Sequence, residues 1–243
     1  MKAFTAPMTE LQEFTQICEK LNRNTGVIQV AGCIEAQKSH LIYCAGQGRK
    51  RKLIITYSEL RAREIYENYR FFDRNVRIYP ARDLIFYSAD MRSRQIGQQR
   101  MAVLRALLEE EELTVITTLP ACMERVLPLS CIRDKVLKFQ SDSSVDLPGL
   151  SKDLTEMGYV SESQVEAPGQ FAIRGGIIDI YPTTEENPIR IELWGDEIDS
   201  IRSFDPASQR SIENLGSITV YPAGEASVGL SNNMFILVAT QVQ

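Results

Sequence analysis

Residues 189–199 read Ile-Arg-Ile-Glu-Leu-Trp-Gly-Asp-Glu-Ile-Asp, apolar and polar side chains alternating with period two. That period belongs to a β-strand, whose successive side chains point to opposite faces. Ile189, Ile191 and Leu193 share one face, and Arg190, Glu192 and Trp194 share the other. The preceding stretch, Gly169 to Pro182, alternates in the same way. Paired strands of this kind predict a small antiparallel sheet with one packed face and one wet face. The only tryptophan of the chain falls in the wet register. A tryptophan there forgoes burial unless another part of the chain or a partner covers it.

Composition narrows the classes of function. The 243 residues carry 44% hydrophobic and 24% charged side chains, ordinary for a soluble globular chain of one large or two small domains. A net charge of -5 argues against a broad phosphate-binding surface. The five cysteines (Cys18, Cys33, Cys44, Cys122, Cys131) form no CxxC pair, and no signal peptide precedes them, which favours a reducing cytoplasm over a disulfide framework or a zinc site. One histidine, His40, supplies little for metal binding or Ser-His-Asp chemistry. No apolar run approaches the roughly 20 residues that span a bilayer, so no membrane partner is expected.

Along the chain, strand and helix patterns alternate first. Strands are expected at Val27–Ala31, Lys52–Tyr57, Val76–Tyr79 and Leu113–Thr118, with helices over Ser58–Phe72, capped by Ser58, and Ser93–Glu110. This order predicts an α/β domain with a parallel sheet, over residues 1–127. The pattern changes near Pro128. A strand at Asp134–Phe139, a short helix around Leu150–Met157 and the alternating strands form an α+β unit over residues 128–213. Residues 214–243 carry one more strand signal, Ile218 to Tyr221, and an irregular tail that ends after Ser231-Asn232-Asn233, which suggests truncation.

The segment Gly32-Cys33-Ile34-Glu35-Ala36-Gln37-Lys38-Ser39 fits the phosphate-loop spacing G-x-x-x-x-G-K-[ST] except at Gln37, where the second glycine belongs. That glycine lets the backbone wrap a phosphate. Gln37 and the acidic Glu35 predict a loop that kept its place, with Gly32, Lys38 and Ser39, after losing its ligand. No downstream Asp-Glu box supplies magnesium ligands. The run Gly48–Lys52 reads as a solvated turn, and the arginines at 92, 94, 100 and 105 as a wet helix surface balanced by Glu109 to Glu112.

The segment Gly169–Pro182, with Ile189–Ser211, resembles the UvrB-homology module at the N-terminus of bacterial transcription-repair coupling factors and, more distantly, UvrB. Its pattern is Gly-x-Phe-x-x-Arg-Gly-x-x-x-Asp-x-x-Pro, then Arg-x-Glu-x-aromatic; Asp205 to Ser211 favours the coupling factors. The resemblance implies a RecA-like α/β domain with helices on both faces of a parallel sheet, an inserted α+β domain with an antiparallel sheet, and a return to the first domain. It implies that this module is not an enzyme. ATP and magnesium would act in the motor domains of a longer parent, an ATP-dependent DNA translocase. The short connection from Pro80 to Arg92 leaves no room for the aromatic hairpin with which UvrB probes DNA. The implied partner is UvrA, the damage-recognition ATPase of nucleotide excision repair. Arg174 and Trp194 match the family's contact positions, and Arg190 and Glu192 lie beside them. The family's basic residue after Gly158-Tyr159 is replaced by Val160 and Ser161. Further implied partners are the rest of the parent chain and, indirectly, RNA polymerase and DNA. The rival reading is a nucleotide-binding excision component of the UvrB type; a third makes the α/β half an autoinhibitory partner of the parent's motor.

Overall fold

The computed structural model describes residues 2–23, 26–82, 89–124, 126 and 128–225; the expected tail lies outside them. In chain order the elements are α1 (Lys2–Thr9), α2 (Gln12–Arg23), α3 (Glu35–Ala45), β1 (Arg51–Thr56), α4 (Glu59–Tyr69), β2 (Val76–Tyr79), α5 (Ala89–Glu109), β3 (Leu113–Thr118) and α6 (Leu119–Met123). There follow α7 (Leu129–Arg133), β4 (Leu137–Gln140), α8 (Leu147–Glu156), β5 (Val160–Ser161), β6 (Gln170–Arg174), β7 (Ile177–Ile180), β8 (Ile189–Trp194), β9 (Glu197–Phe204), β10 (Ser211–Leu215) and β11 (Ser217–Val220). The fold is mixed α/β, with one parallel sheet and antiparallel sheets. It divides into two compact units, Met1–Pro80 with Glu110–Ala121, and Ala81–Glu109 with Cys122–Gln243.

In the first unit β1, β3 and β2 form a three-stranded parallel sheet with β3 at its centre. Every residue of β3 is buried, as the near-continuous apolar and threonine run Leu113–Thr118 requires. One face of the sheet, with Ile54, Ile116 and Val76, packs against Phe14 of α2, Tyr43 and Cys44 of α3, and Ala62 and Tyr69 of α4. The Ser58 hydroxyl accepts the Arg61 N–H at 3.2 Å and so caps α4. Val27–Ala31, expected as a strand, is irregular instead. Its β-branched residues Val27 and Val30 are exposed, and among the described residues no strand pairs with this short apolar run.

In the second unit β10, β9, β8, β7, β6 and β5 form a six-stranded sheet, antiparallel except for the β5–β6 pair. Its inner face carries Phe171, Ile178, Ile180, Ile189, Ile191, Ile198 and Ile201. These pack on Leu150 and Leu154 of α8, and on Phe139 and Val220 of an antiparallel β4–β11 ribbon. Residues 217–220 thus pair with 137–140 inside this unit. The alternation predicted for Ile189–Trp194 holds: Ile189 and Ile191 are buried, and Arg190 and Glu192 are half-buried.

Arg100 departs from expectation. It is fully buried, donating to Glu225 at 3.0 Å and to Glu124 at 2.8 Å, rather than forming a wet helix surface. Arg82 also pairs with Glu225. A buried guanidinium needs such carboxylates, and these come from positions distant in sequence. Arg105 behaves closer to expectation: half-buried, it pairs with Glu109 at 2.8 Å and Glu185 at 2.5 Å.

Two predictions follow from the second unit. Ile191→Ala empties a fully buried site and is expected to destabilise by about 2–5 kcal/mol in urea unfolding. Burial pushes the Glu109 carboxyl up, but hydrogen bonds from Tyr221 at 2.6 Å and Arg105 at 2.8 Å outweigh it and hold the group below its ordinary value. The folded value being the lower, its contribution is complete above the unfolded-chain value of about 4.3 and is lost as pH falls through the folded one. Glu109→Gln should therefore flatten the acid limb of stability, read as urea midpoints between about pH 6 and about pH 3.

Candidate functional site

The outer face of the six-stranded sheet is assembled by strand register. Arg174 lies opposite Ile177, Ile177 opposite Glu192, and Glu192 opposite Ser200. A second row runs Ala172, Asp179, Arg190, Arg202. Trp194 stands two residues beyond Glu192, at the end of β8. Strand spacing and rise place the Cα atoms of Arg174 and Trp194 roughly 12 Å apart. Both residues open two-residue hairpin turns, Gly175-Gly176 and Gly195-Asp196. Gly175 (φ 59°) and Gly195 (φ 64°) take the positive φ that a II′ turn demands at its first central position. The turns are laced together: the Leu193 N–H donates to the Gly176 carbonyl at 2.8 Å, and a Cβ on Gly176 would stand 3.1 Å from the Leu193 carbonyl oxygen.

This outer face is graded from dry to wet. At one end Val165, Ala172, Tyr181 and Phe204 bury one another. At the other, Trp194 is 84% exposed. Between them sits Asp179, fully buried and in the polar register. Its carboxylate accepts from Arg190 at 2.7 and 2.9 Å and from Arg174 at 2.6 Å. Arg190 also donates to the Gln209 side chain at 3.1 Å and lies 4.5 Å over the Phe204 ring. The hydrogen bonds it donates to Asp179, then burial working against them, leave its guanidinium pKa above the ordinary value. Only 17% of the Arg190 side chain is exposed, against 48% for Arg174.

Glu192 is engaged as well, accepting from Ser200 at 3.2 Å and pairing with Arg202. The loop Asp205–Arg210 holds Gln209 in place: Gln209 takes φ 60°, and the Asp205 carboxylate accepts the Ser208 N–H at 2.6 Å. Of the four residues picked from the sequence, Arg174 and Trp194 reach outward, while Arg190 and Glu192 are tied into the sheet. Sequence reasoning missed Asp179 and Arg202. Their parity placed them on the outer face, but only strand register shows which arginines they meet. Val160, in place of the family's basic residue, is exposed on β5.

The phosphate-loop-like segment is built differently from a phosphate cradle. Gly32 has φ 78°, but α3 already begins at Glu35, so Gln37, Lys38 and Ser39 lie within the helix. The Gln37 N–H is spent on the Ile34 carbonyl at 3.0 Å, Ser39 is buried, and Lys38 pairs with Glu35. Glu35 also pairs with Arg61. An internal carboxylate thus neutralises the cations that a phosphate would need, and these residues do not fit a bound nucleotide phosphate. All five cysteines are free. Among the described residues, no group of three or more His, Cys, Asp or Glu is placed to hold a metal ion, and no helix is long and apolar enough to cross a membrane.

The sheet packs its inner face and on the outer one offers an exposed tryptophan and a half-exposed arginine. Residues 137–225 match the UvrB interaction domain family. Over most of its length the chain is similar to transcription-repair-coupling factors. It is 37% identical over 183 residues (74% of the chain, 16% of the relative) to that of Bacillus subtilis strain 168. It is 32% identical over 178 residues (72% and 15%) to that of Staphylococcus epidermidis strain RP62A, and 33% over 147 residues (60% and 12%) to that of Staphylococcus haemolyticus. The chain thus spans about 16% of the length of the first of these curated relatives.

Trp194 is the sole tryptophan, so its fluorescence reports this site alone. Acrylamide is expected to quench it nearly as efficiently as free N-acetyltryptophanamide; strong protection would mean that the residue is covered.

Proposed function

We propose that this chain is the non-catalytic N-terminal module of a transcription-repair coupling factor, and that it recruits the nucleotide excision repair protein UvrA to stalled transcription complexes. The observation that carries this reading is the exposure of Trp194 on the outer sheet face, beside Arg174. Trp and Arg are the residue types most enriched at the energetic centres of interfaces, and an exposed tryptophan gains its burial energy only when a partner covers it. Arg174 and Trp194 make the outward contact. Arg190 and Glu192 shape the surface around them. The match of residues 137–225 to the UvrB interaction domain supports a docking role for this part of the chain.

In this reading residues 1–127 are a RecA-like domain that has lost its nucleotide, and 128–213 are the inserted docking domain. The parent's motor and polymerase-binding parts supply ATP-driven translocation in the cytoplasm. The Glu35–Lys38 and Glu35–Arg61 ion pairs favour this over a nucleotide-binding excision component.

Trp194→Ala and Arg174→Glu are each expected to weaken UvrA binding about 30-fold or more, corresponding to an anchor worth about 2 kcal/mol. Isothermal titration with purified UvrA measures this; unchanged affinity in the double variant overturns the assignment. ATP titrated into the isolated chain is expected to give no saturable signal, and a micromolar dissociation constant would instead support the rival reading.

A further inference from the structure

Asp179 is the one fully buried carboxylate on the outer face of the six-stranded sheet, and it serves two arginines. Two guanidiniums against one carboxylate leave a local excess of one positive charge. The excess is not shared equally. Arg190 spends its donors on both Asp179 oxygens and on Gln209, and its flat face on Phe204. Arg174 makes one hydrogen bond, from Nη2 to Asp179 Oδ2, out of the five N–H donors a guanidinium carries. Its side chain is half exposed. The uncompensated charge therefore resides on Arg174, with spare donors in a fork that matches a carboxylate.

We infer that Asp179 is a positioning residue: it fixes the Arg174 guanidinium in advance toward a carboxylate side chain of the docking partner, a protein with an apolar socket for Trp194 beside that acidic group. A free arginine on a strand end samples many rotamers, and holding it against Asp179 before docking removes that ordering cost from the binding step. The same surface disfavours a nucleic acid. Asp196, Glu197 and Asp199 are exposed around the β8–β9 turn next to Trp194, and a polyphosphate there would meet three carboxylates. A single acidic side chain on a folded partner meets Arg174 without them.

This inference rests on the UvrA reading, and a double-mutant cycle separates the two. Affinity for UvrA is measured by titration for the full chain and for Asp179→Asn in three backgrounds: otherwise unchanged, Trp194→Ala and Arg174→Ala. Asp179→Asn is expected to weaken binding about tenfold in the first two and by less than about twofold in the third. An equal loss in the Arg174→Ala background overturns the positioning role, because a general structural defect acts whether or not Arg174 is present. No binding by the unmodified chain overturns the UvrA reading itself. If Asp179→Asn does not fold, the unsubstituted chain decides: the Arg174 side-chain N–H signals, assigned by their loss in Arg174→Ala, should exchange slowly with water in the absence of partner. Rapid, averaged exchange overturns the positioning role.

Discussion

Burial of the inner face of the six-stranded sheet is the constraint from which the rest of the second unit follows. Phe171, Ile178, Ile191 and Ile201 must face α8 and the β4–β11 ribbon to leave water. Because side chains alternate, a slip of one residue in β6, β8 or β9 would send an isoleucine outward and an arginine into the core. The inner face therefore dictates the register, and the register dictates which polar groups meet outside. Arg174, Ile177, Glu192 and Ser200 form a row set by strand register, with Ile178, Ile191 and Ile201 buried on the opposite face. The glycine turns at 175–176 and 195–196 close the hairpins so that Arg174 and Trp194 emerge at the same end.

On that outer face the order of dry and wet is set by a few contacts. Val165, Ala172, Tyr181 and Phe204 exclude water at one end, which makes an unpaired carboxylate there costly and an arginine partner necessary. Asp179 and Arg190 satisfy one another at this boundary, with Gln209 and Phe204 completing the cage. Arg174 sits one row further out, held by its edge and open to solvent. The Asp205–Ser211 segment that carries part of the family resemblance acquires a physical role here, since its turn delivers Gln209 to Arg190.

The first unit follows a different logic. Its parallel strands alternate with helices, and the segment with phosphate-loop spacing, expected to have lost its ligand, is occupied by the chain's own charges. Glu35 is both inside the degenerate segment and paired with Lys38 and Arg61. The effect exceeds the repulsion that an acidic loop residue exerts on a polyanion, because the lysine that would grip a phosphate is itself engaged.

Much of this was legible in local pattern. Period two placed Ile189, Ile191 and Leu193 inward and Trp194 outward, and Ser58 announced the start of α4, because strand parity and helix caps are set by neighbours in sequence. The parallel strands at Lys52, Val76 and Leu113 and the change of pattern near Pro128 were readable for the same reason. Pairings between distant residues were not. Val27–Ala31 has strand composition and, among the described residues, no strand partner. Arg100 looked like a surface arginine until Glu124 and Glu225 came to meet it. Arg190 looked as available as Arg174 until Asp179, Gln209 and Phe204 closed around it. The sequence by itself determined which faces are apolar and which residue types lie on them. Only the tertiary structure decided which charges are consumed at home and which remain for a partner, because a charge is neutralised by what is near it in space.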